Sequence, residues 1–238
     1  MDLILKVVRV YRPAGRVSIR RIGSFVNDVF LVRVDDEKLV AKRYTNWVSL
    51  KWVTLSLFGL GSVHFSISGK RRMEAEYAFN DLLARRGIPV PPIVGADQKS
   101  RTILFTFVSG DQLSSLIPRM THGVQIGARE LEAALGDTKP ENFLVEKNGK
   151  VTLVDLEQAR HRGDYSWDIA EFLFYSGHYW LSFNKSLEGY VDSFLKGYGE
   201  RGSSSIVRAA ASPKYVRLFS VWTPPNILHN IRRKLTEN

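Results

Sequence analysis

The order of elements along the chain predicts an α+β fold with two unequal lobes, the first rich in strands and the second helical. Three observations carry this expectation. β-Branched and aromatic runs, with one helical stretch among them, fill the chain up to residue 108. Apolar residues at helical spacing dominate the rest of the chain. The 238 residues are 44% hydrophobic and 24% charged, which suits a globular chain and excludes disordered, collagenous and coiled-coil chains. The expected division is a first lobe over 1–108 and a second over 109–238, with a hinge at Ser109–Asp111.

The first lobe opens with a hairpin. Residues 22–34 start at a glycine turn and run into a β-branched stretch, Asp35-Asp36-Glu37 connects, and residues 38–44 form the return strand. Residues 70–86 carry Met73, Tyr77 and Leu83 at helical spacing. Gly87 supplies the stop, and Pro89, Pro91 and Pro92 forbid continuation. Residues 101–108 read as a strand that ends at Ser109-Gly110. Beyond it, residues 111–135 predict one or two helices. Residues 142–156 predict two short strands about the turn Lys147-Asn148-Gly149. Residues 167–180 and 186–198 predict amphipathic helices. Gly202–Ser205 reads as a loose linker, and no repeat is present.

Charge is placed unevenly. The net charge is +10, from 34 basic and 24 acidic residues. Residues 1–21 and residues 203–238 each hold six basic residues and one acidic residue, so the middle of the chain is neutral. Two basic ends are either solvated faces or a hold on an anionic partner such as RNA or acidic lipid. No aromatic interleaving of the kind found in RNA-binding signatures accompanies them. The absence of cysteine excludes disulfide frameworks, thiol catalysis and thiolate metal sites. Asp2, Lys6 and Arg9 interrupt the opening apolar run, which therefore does not read as a secretory signal, and the expected location is cytoplasmic. His64, His122, His161, His178 and His229 show no metal-ligand spacing.

Residues 47–67 hold a single formal charge, Lys51. Their length would allow a membrane span, but glycines and serines interrupt them, and a crossing there would put Lys42 and Glu76 on opposite sides of a bilayer. The expectation is an extra helix packed on the first lobe. An interfacial helix with Trp47 and Trp52 at a membrane surface, or a docking patch for a protein partner, are the alternatives.

The chemistry is concentrated in residues 136–157. Asp137 and Asn142 lie five apart on a loop entering a strand, and Asp155 ends the next strand. A hairpin of this kind gathers the three polar groups at one end. Carboxylate and amide oxygens are hard ligands suited to Mg²⁺, and a further Asp can take a proton from an incoming hydroxyl. Lys139 adds a cation for a transferring phosphoryl group.

Gly-Asp-Thr-Lys-Pro-Glu-Asn142 resembles the catalytic loop of protein kinases, and Val-Asp155-Leu-Glu resembles their metal-binding motif. Upstream, Val-Ala-Lys42 is similar to the strand lysine that grips the α- and β-phosphates of ATP, and Glu76 stands where its helix partner belongs. Glu74 is the rival, and the spacing of Glu76 from Gly87 favours Glu76. Gly23 and Ser24, with Val29 after them, occupy the nucleotide-loop position, and Asn-Asp-Val-Phe there resembles the loop of RIO-type kinases. Phe105 to Gly110, with Phe107, resembles the hinge that holds adenine. Trp167-Asp168-Ile-Ala resembles the helix start whose Asp braces the catalytic loop. The resemblance covers residues 20–200 and implies a bilobal protein-kinase-like fold with a small N-lobe and a reduced C-lobe.

It also implies roles. Lys42 with Glu76 would orient ATP, Asn142 and Asp155 would hold Mg²⁺ or Mn²⁺, Asp137 would position and deprotonate the acceptor, and Lys139 would stabilise γ-phosphate charge. Leu135 replaces the usual His, so one backbone-bracing hydrogen bond is absent, while Leu156 and Glu157 depart from the usual Phe and Gly without removing a catalytic group. Only residues 156–167 separate Asp155 from Asp168, too few for an activation segment or a peptide-docking platform. That shortness resembles the RIO proteins, the kinase of the KEOPS complex, and the aminoglycoside and lipopolysaccharide kinases. Arg85 to Pro91 and the basic ending at 231–235 are similar to the KEOPS-type kinase. Lys139 points to a serine/threonine protein kinase with a protein substrate or complex partner. A small-molecule kinase, or an ATPase switch within a complex, are the alternatives.

Overall fold

The computed structural model describes residues 1–23, 26–46, 66–117, 133–199 and 202–237. Ser24 and almost all of the apolar insert, 47–65, lie outside the described residues, as do 118–132 of the expected helical stretch. The chain divides into two compact units. The first comprises Met1–Val53, Phe65–Gly110 and Leu144–Gln158, and the second Thr54–His64, Asp111–Phe143 and Ala159–Asn238. The fold is α+β, with an antiparallel sheet in the first unit and mainly helices in the second.

In the first unit, β1 (Val17–Gly23), β2 (Asp28–Val34), β3 (Glu37–Arg43), β4 (Ile93–Asp97) and β5 (Thr102–Thr106) form one sheet in the order β1-β2-β3-β5-β4. The expected hairpin is β2–β3, in register from Asp28 opposite Arg43 to Val34 opposite Glu37. The strand does not begin at residue 22, because residues 17–23 form a separate strand, β1, that pairs with β2. Side-chain alternation sorts the sheet into two faces. Phe30, Val32, Val34, Leu39, Ala41 and Leu104 form a core with Ile4, Val7 and Val8 of helix α1 (Asp2–Tyr11). The Tyr11 hydroxyl donates to the Ala96 carbonyl at 2.7 Å and accepts from the Ala96 amide at 3.0 Å, fixing α1 to β4. This helix was not anticipated, although Ile4, Val7 and Val8 carry the i, i+3, i+4 spacing.

The other face carries Val40, Ile103 and Phe105, clustered with Tyr44 and with Met73 of helix α2 (Gly69–Arg85). Ser68 caps α2, and Gly87 beyond its end takes φ 70°, the left-handed conformation expected of a stop glycine. The buried face of α2 includes Arg72, Met73, Glu76, Phe79, Asn80 and Leu83, a helical stripe that contains two charges. A short hairpin follows, β8 (Phe143–Val145) and β9 (Val151–Leu153), with Gly149 at its turn.

The second unit holds β6 (Asp111–Gln112), a short helix α3 (Leu113–Leu116), β7 (Ala133–Ala134) paired with β10 (Arg160–His161), and helix α4 (Tyr165–Ala170). α4 runs on into a π-helical turn, Glu171–Tyr175, and a 3-10 turn, Gly177–Tyr179, so the single helix expected over 167–180 is broken. α5 (Lys185–Gly199) agrees closely with the expected 186–198. The chain end is built into the unit as α6 (Ser204–Ala210), α7 (Pro213–Phe219) and α8 (Pro225–Glu237). The loose linker at 202–205 is corrected to a helix start, and the basic ending is one face of a helix that buries Ile227, Leu228, Ile231 and Leu235. Trp167 stacks on Phe219 at 5.6 Å, and Phe172 packs on Phe143, Tyr190 and Phe194. Gly177 permits close helix packing, since a Cβ there would meet Ile227 and Thr223 at 2.8 Å. No described helix is long and apolar enough to cross a membrane.

Candidate active site

Each unit carries one group of the residues singled out in the sequence. In the first unit, Gly23, Val29 and Lys42 lie side by side across β1, β2 and β3. A Cβ on Gly23 would meet Val29 at 3.4 Å. Strand alternation turns Lys42 to the α2 face, where it is 7% exposed. Its Nζ lies 2.6 Å from Glu76 Oε2, 2.6 Å from Asp155 Oδ1 and 3.2 Å from Glu157 Oε2. Glu76, not Glu74, is the helix partner, and Glu74 pairs on the surface with Lys70. Tyr44 donates its hydroxyl to Glu76 Oε2 at 2.6 Å.

Burial works against the Lys42 charge, but Asp155, Glu157 and Glu76 outweigh it and hold the lysine pKa well above its usual value. Burial raises Glu76, opposed by Lys42. Glu76, Asp155 and Glu157 place carboxylate oxygens within 4.8 Å of one another, a spacing compatible with a cation. Asp155 is the most open of the three, with 37% of its side chain exposed, and takes φ 62° at the end of the motif strand. A hard divalent ion fits this more open carboxylate better than the buried Glu76 and Glu157, although Asp155 Oδ1 also meets Lys42.

Of the hinge residues, Phe105 is 5% exposed and belongs to the core beside Val40 and Met73. Phe107 is partly exposed, donates its amide to the Lys38 carbonyl at 3.1 Å and lies beneath the Lys38 ammonium.

In the second unit the loop carrying Asp137 is held by backbone capture. Asp168 accepts from the amides of Leu135 at 2.7 Å and Gly136 at 2.8 Å. Trp167 Nε1 donates to the Gly136 carbonyl at 3.1 Å, and Gly136 takes φ 74°. Thr138 donates its amide to Glu171 at 2.6 Å and its hydroxyl to the Asp168 carbonyl at 2.7 Å. Asn142 donates its side-chain nitrogen to the Asp137 carbonyl at 2.9 Å, which leaves its oxygen for the acceptor role a cation requires. Lys139 Nζ lies 2.8 Å from Asp137 Oδ1. Burial raises Asp168 to about 7 although its residue keeps some exposed surface, and burial followed by the Asp137 charge raises Glu171 well above the usual range.

Beside this loop Tyr175, His178 and Tyr179 form an aromatic cluster, with centroids 4.6 Å and 3.8 Å apart. Tyr179 donates to Glu141 Oε1, while the buried Glu141 Oε2 has no hydrogen-bond partner among the described residues.

Sequence reasoning missed Asn27, Tyr44, Arg72, Thr138 and Glu171 as parts of these networks. A charge inside an apolar stripe was the available signal for Arg72 and Glu171, because a buried charge demands a partner.

No family model matches the sequence, and no curated protein matches it significantly. Solved structures do match. The chain is similar to choline kinase LicA from Streptococcus pneumoniae, at 12% identity and TM-score 0.52, covering 99% of this chain and 97% of that one. It is similar to a microcompartment-associated aminopropanol kinase, at 12% identity and TM-score 0.56, covering 99% and 94%. An aminoglycoside-3'-phosphotransferase of type VIII aligns at 15% identity and TM-score 0.52, covering 97% and 98%. The fold is protein-kinase-like. At these identities the likeness establishes the architecture and leaves the substrate to the residues.

Proposed function

We propose that this protein is an ATP-dependent phosphotransferase that moves the γ-phosphoryl group of ATP to a hydroxyl. The observation that carries the reading is Lys42 Nζ at 2.6 Å from both Glu76 and Asp155, a buried cation oriented by a helix carboxylate and facing a metal-competent aspartate. Phosphoryl transfer asks a protein mainly for positioning and charge stabilisation. Lys42 supplies a fixed positive charge for the α- and β-phosphates. Asp155, in the first unit, would offer a hard oxygen for Mg²⁺ or Mn²⁺, which when bound neutralises phosphate charge; Asn142, in the second unit, carries an amide oxygen of the same hard-ligand chemistry. Asp137, on the loop that Asp168 holds at the Leu135 and Gly136 amides, would orient the acceptor hydroxyl and take its proton. Lys139, which pairs with Asp137, would stabilise γ-phosphate charge.

The acceptor reading that Lys139 supports is a serine or threonine of a protein. A second reading is favoured by the Tyr175–His178–Tyr179 cluster beside the buried Glu141 oxygen, since aromatic faces and a carboxylate suit an ammonium group. Under it the acceptor is a small amino alcohol, in keeping with the choline, aminopropanol and aminoglycoside specificities in the names of structurally similar proteins. Labelled γ-phosphate supplied with Mg²⁺ separates the two, through label on a protein acceptor or label on an added amino alcohol. No metal-dependent turnover with either class, under conditions where the chain is folded, would sink the phosphotransferase reading. Binding assays with RNA and acidic vesicles would test partner or membrane contact through the basic ends and residues 47–67.

A further inference from the structure

Glu157 stands where the protein-kinase pattern has glycine, and its two oxygens meet Arg72, Asn27 and Lys42. Its Oε1 accepts from Arg72 at 2.9 Å. Its Oε2 accepts from Asn27 and lies 3.2 Å from Lys42 Nζ. Both oxygens are thus committed to nitrogen donors. Arg72 is 1% exposed and spends its guanidinium on three segments: Asn27 Oδ1 at 2.9 Å, Glu157, and the Thr45 carbonyl. Thr45 in turn donates to the Val26 carbonyl at 2.8 Å. Arg72 sits four residues before Glu76, on the same face of α2 and one turn away.

We infer that Glu157 is a positioning residue that, with Arg72, pins α2 against the metal-motif segment, so that Glu76 stays on Lys42 without an outside signal. A pin one turn from Glu76 fixes both the rotation of α2 about its axis and its distance from β3. The same pin holds residues 26–27, where the nucleotide-loop segment re-enters β2. The device suits a chain with only twelve residues between Asp155 and Asp168, where no phosphorylated activation segment fits. The inference rests on the phosphotransfer reading, because its purpose is to hold a nucleotide-gripping lysine.

The test is calorimetric titration of the full chain with Mg²⁺ and a non-hydrolysable ATP analogue, with melting followed by circular dichroism. Glu157→Gln and Arg72→Met should each weaken nucleotide affinity about 10- to 100-fold, the usual effect of losing a supporting contact behind a site. The double variant Arg72→Met/Glu157→Leu removes both buried charges and should recover melting temperature lost by the single variants. It should nevertheless bind as weakly as they do, because apolar packing cannot hold Lys42 and Asn27. Wild-type affinity in the folded double variant would overturn the pin and leave the phosphotransfer reading standing. A wild-type chain that takes no nucleotide would overturn both.

Discussion

The first unit holds its key residues by charge, and the second holds them by backbone capture. Around Lys42, two buried cations meet three carboxylates, and each side chain is fixed by another side chain. Around Asp137, Asp168 and Glu171 seize amides of the loop, and Trp167 seizes a carbonyl. The difference follows from what must be positioned. Lys42 is a flexible side chain on a rigid strand, so charge must aim it. Asp137 is a short side chain on a loop, so fixing the backbone is enough to aim it.

The largest effect should come from breaking the charged group. Lys42→Met and Asp155→Ala should each lower metal-dependent nucleotide turnover by about 10²- to 10³-fold or more, the scale seen when a single charge-stabilising group is removed. Steady-state assays at saturating nucleotide measure this. Loss in the Lys42 variant with full activity in the Asp155 variant would remove the metal role from Asp155.

The second unit should reveal itself through pH. The Asp168 carboxyl is raised from 3.8 to about 7 by burial. Between those values the unfolded chain has lost the proton and the folded chain still holds it. Stability should therefore fall as pH rises through this window, by up to ~1.4 kcal/mol per pH unit, and level off above about 7. Urea unfolding at a series of pH values should show that slope in the wild type and its loss in Asp168→Asn.

Glu171 sharpens the contrast further. Burial, with the Asp137 charge behind it, raises the Glu171 pKa well above the usual carboxylate value and so disfavours its charge. Glu171→Gln removes that charge, keeps an acceptor for the Thr138 amide and should change unfolding free energy little. Glu171→Leu strands the Thr138 amide and should cost about 1–3 kcal/mol. Equal losses in the two variants would mean that the charge, not the acceptor, matters there. The smallest effect belongs to Arg12–Glu37, a 2.6 Å pair with more than a third of each side chain exposed. A double-mutant cycle there should give about 0.2–1 kcal/mol, fading with added salt.

The two regions also differ in how far the sequence revealed them. The β2–β3 hairpin and α2 were legible because period-2 and period-3.6 patterns place residues on faces, whereas the Lys42–Glu76 pairing was legible only as part of the resemblance to protein kinases. The loop from Gly136 to Asn142 and its brace at Asp168 were legible as a motif. The Arg72–Glu157–Asn27 network was not, because it joins three distant segments by charge, and no local pattern records which buried charges meet. The closing helices α6 to α8 were read as a basic tail, since their cationic faces masked the spacing of Ile227, Ile231 and Leu235. Helix α1 was missed for a related reason: its β-branched valines suit strands, and only packing on the sheet decides for helix.

The most direct test of the account is transfer of label from γ-labelled ATP with Mg²⁺, using wild type, Lys42→Met and Asp137→Asn side by side against protein and amino-alcohol acceptors. The account predicts label on one acceptor class with the wild type and its near-complete loss in both variants. Undiminished transfer by Asp137→Asn, or no metal-dependent transfer by the folded wild type, would contradict it.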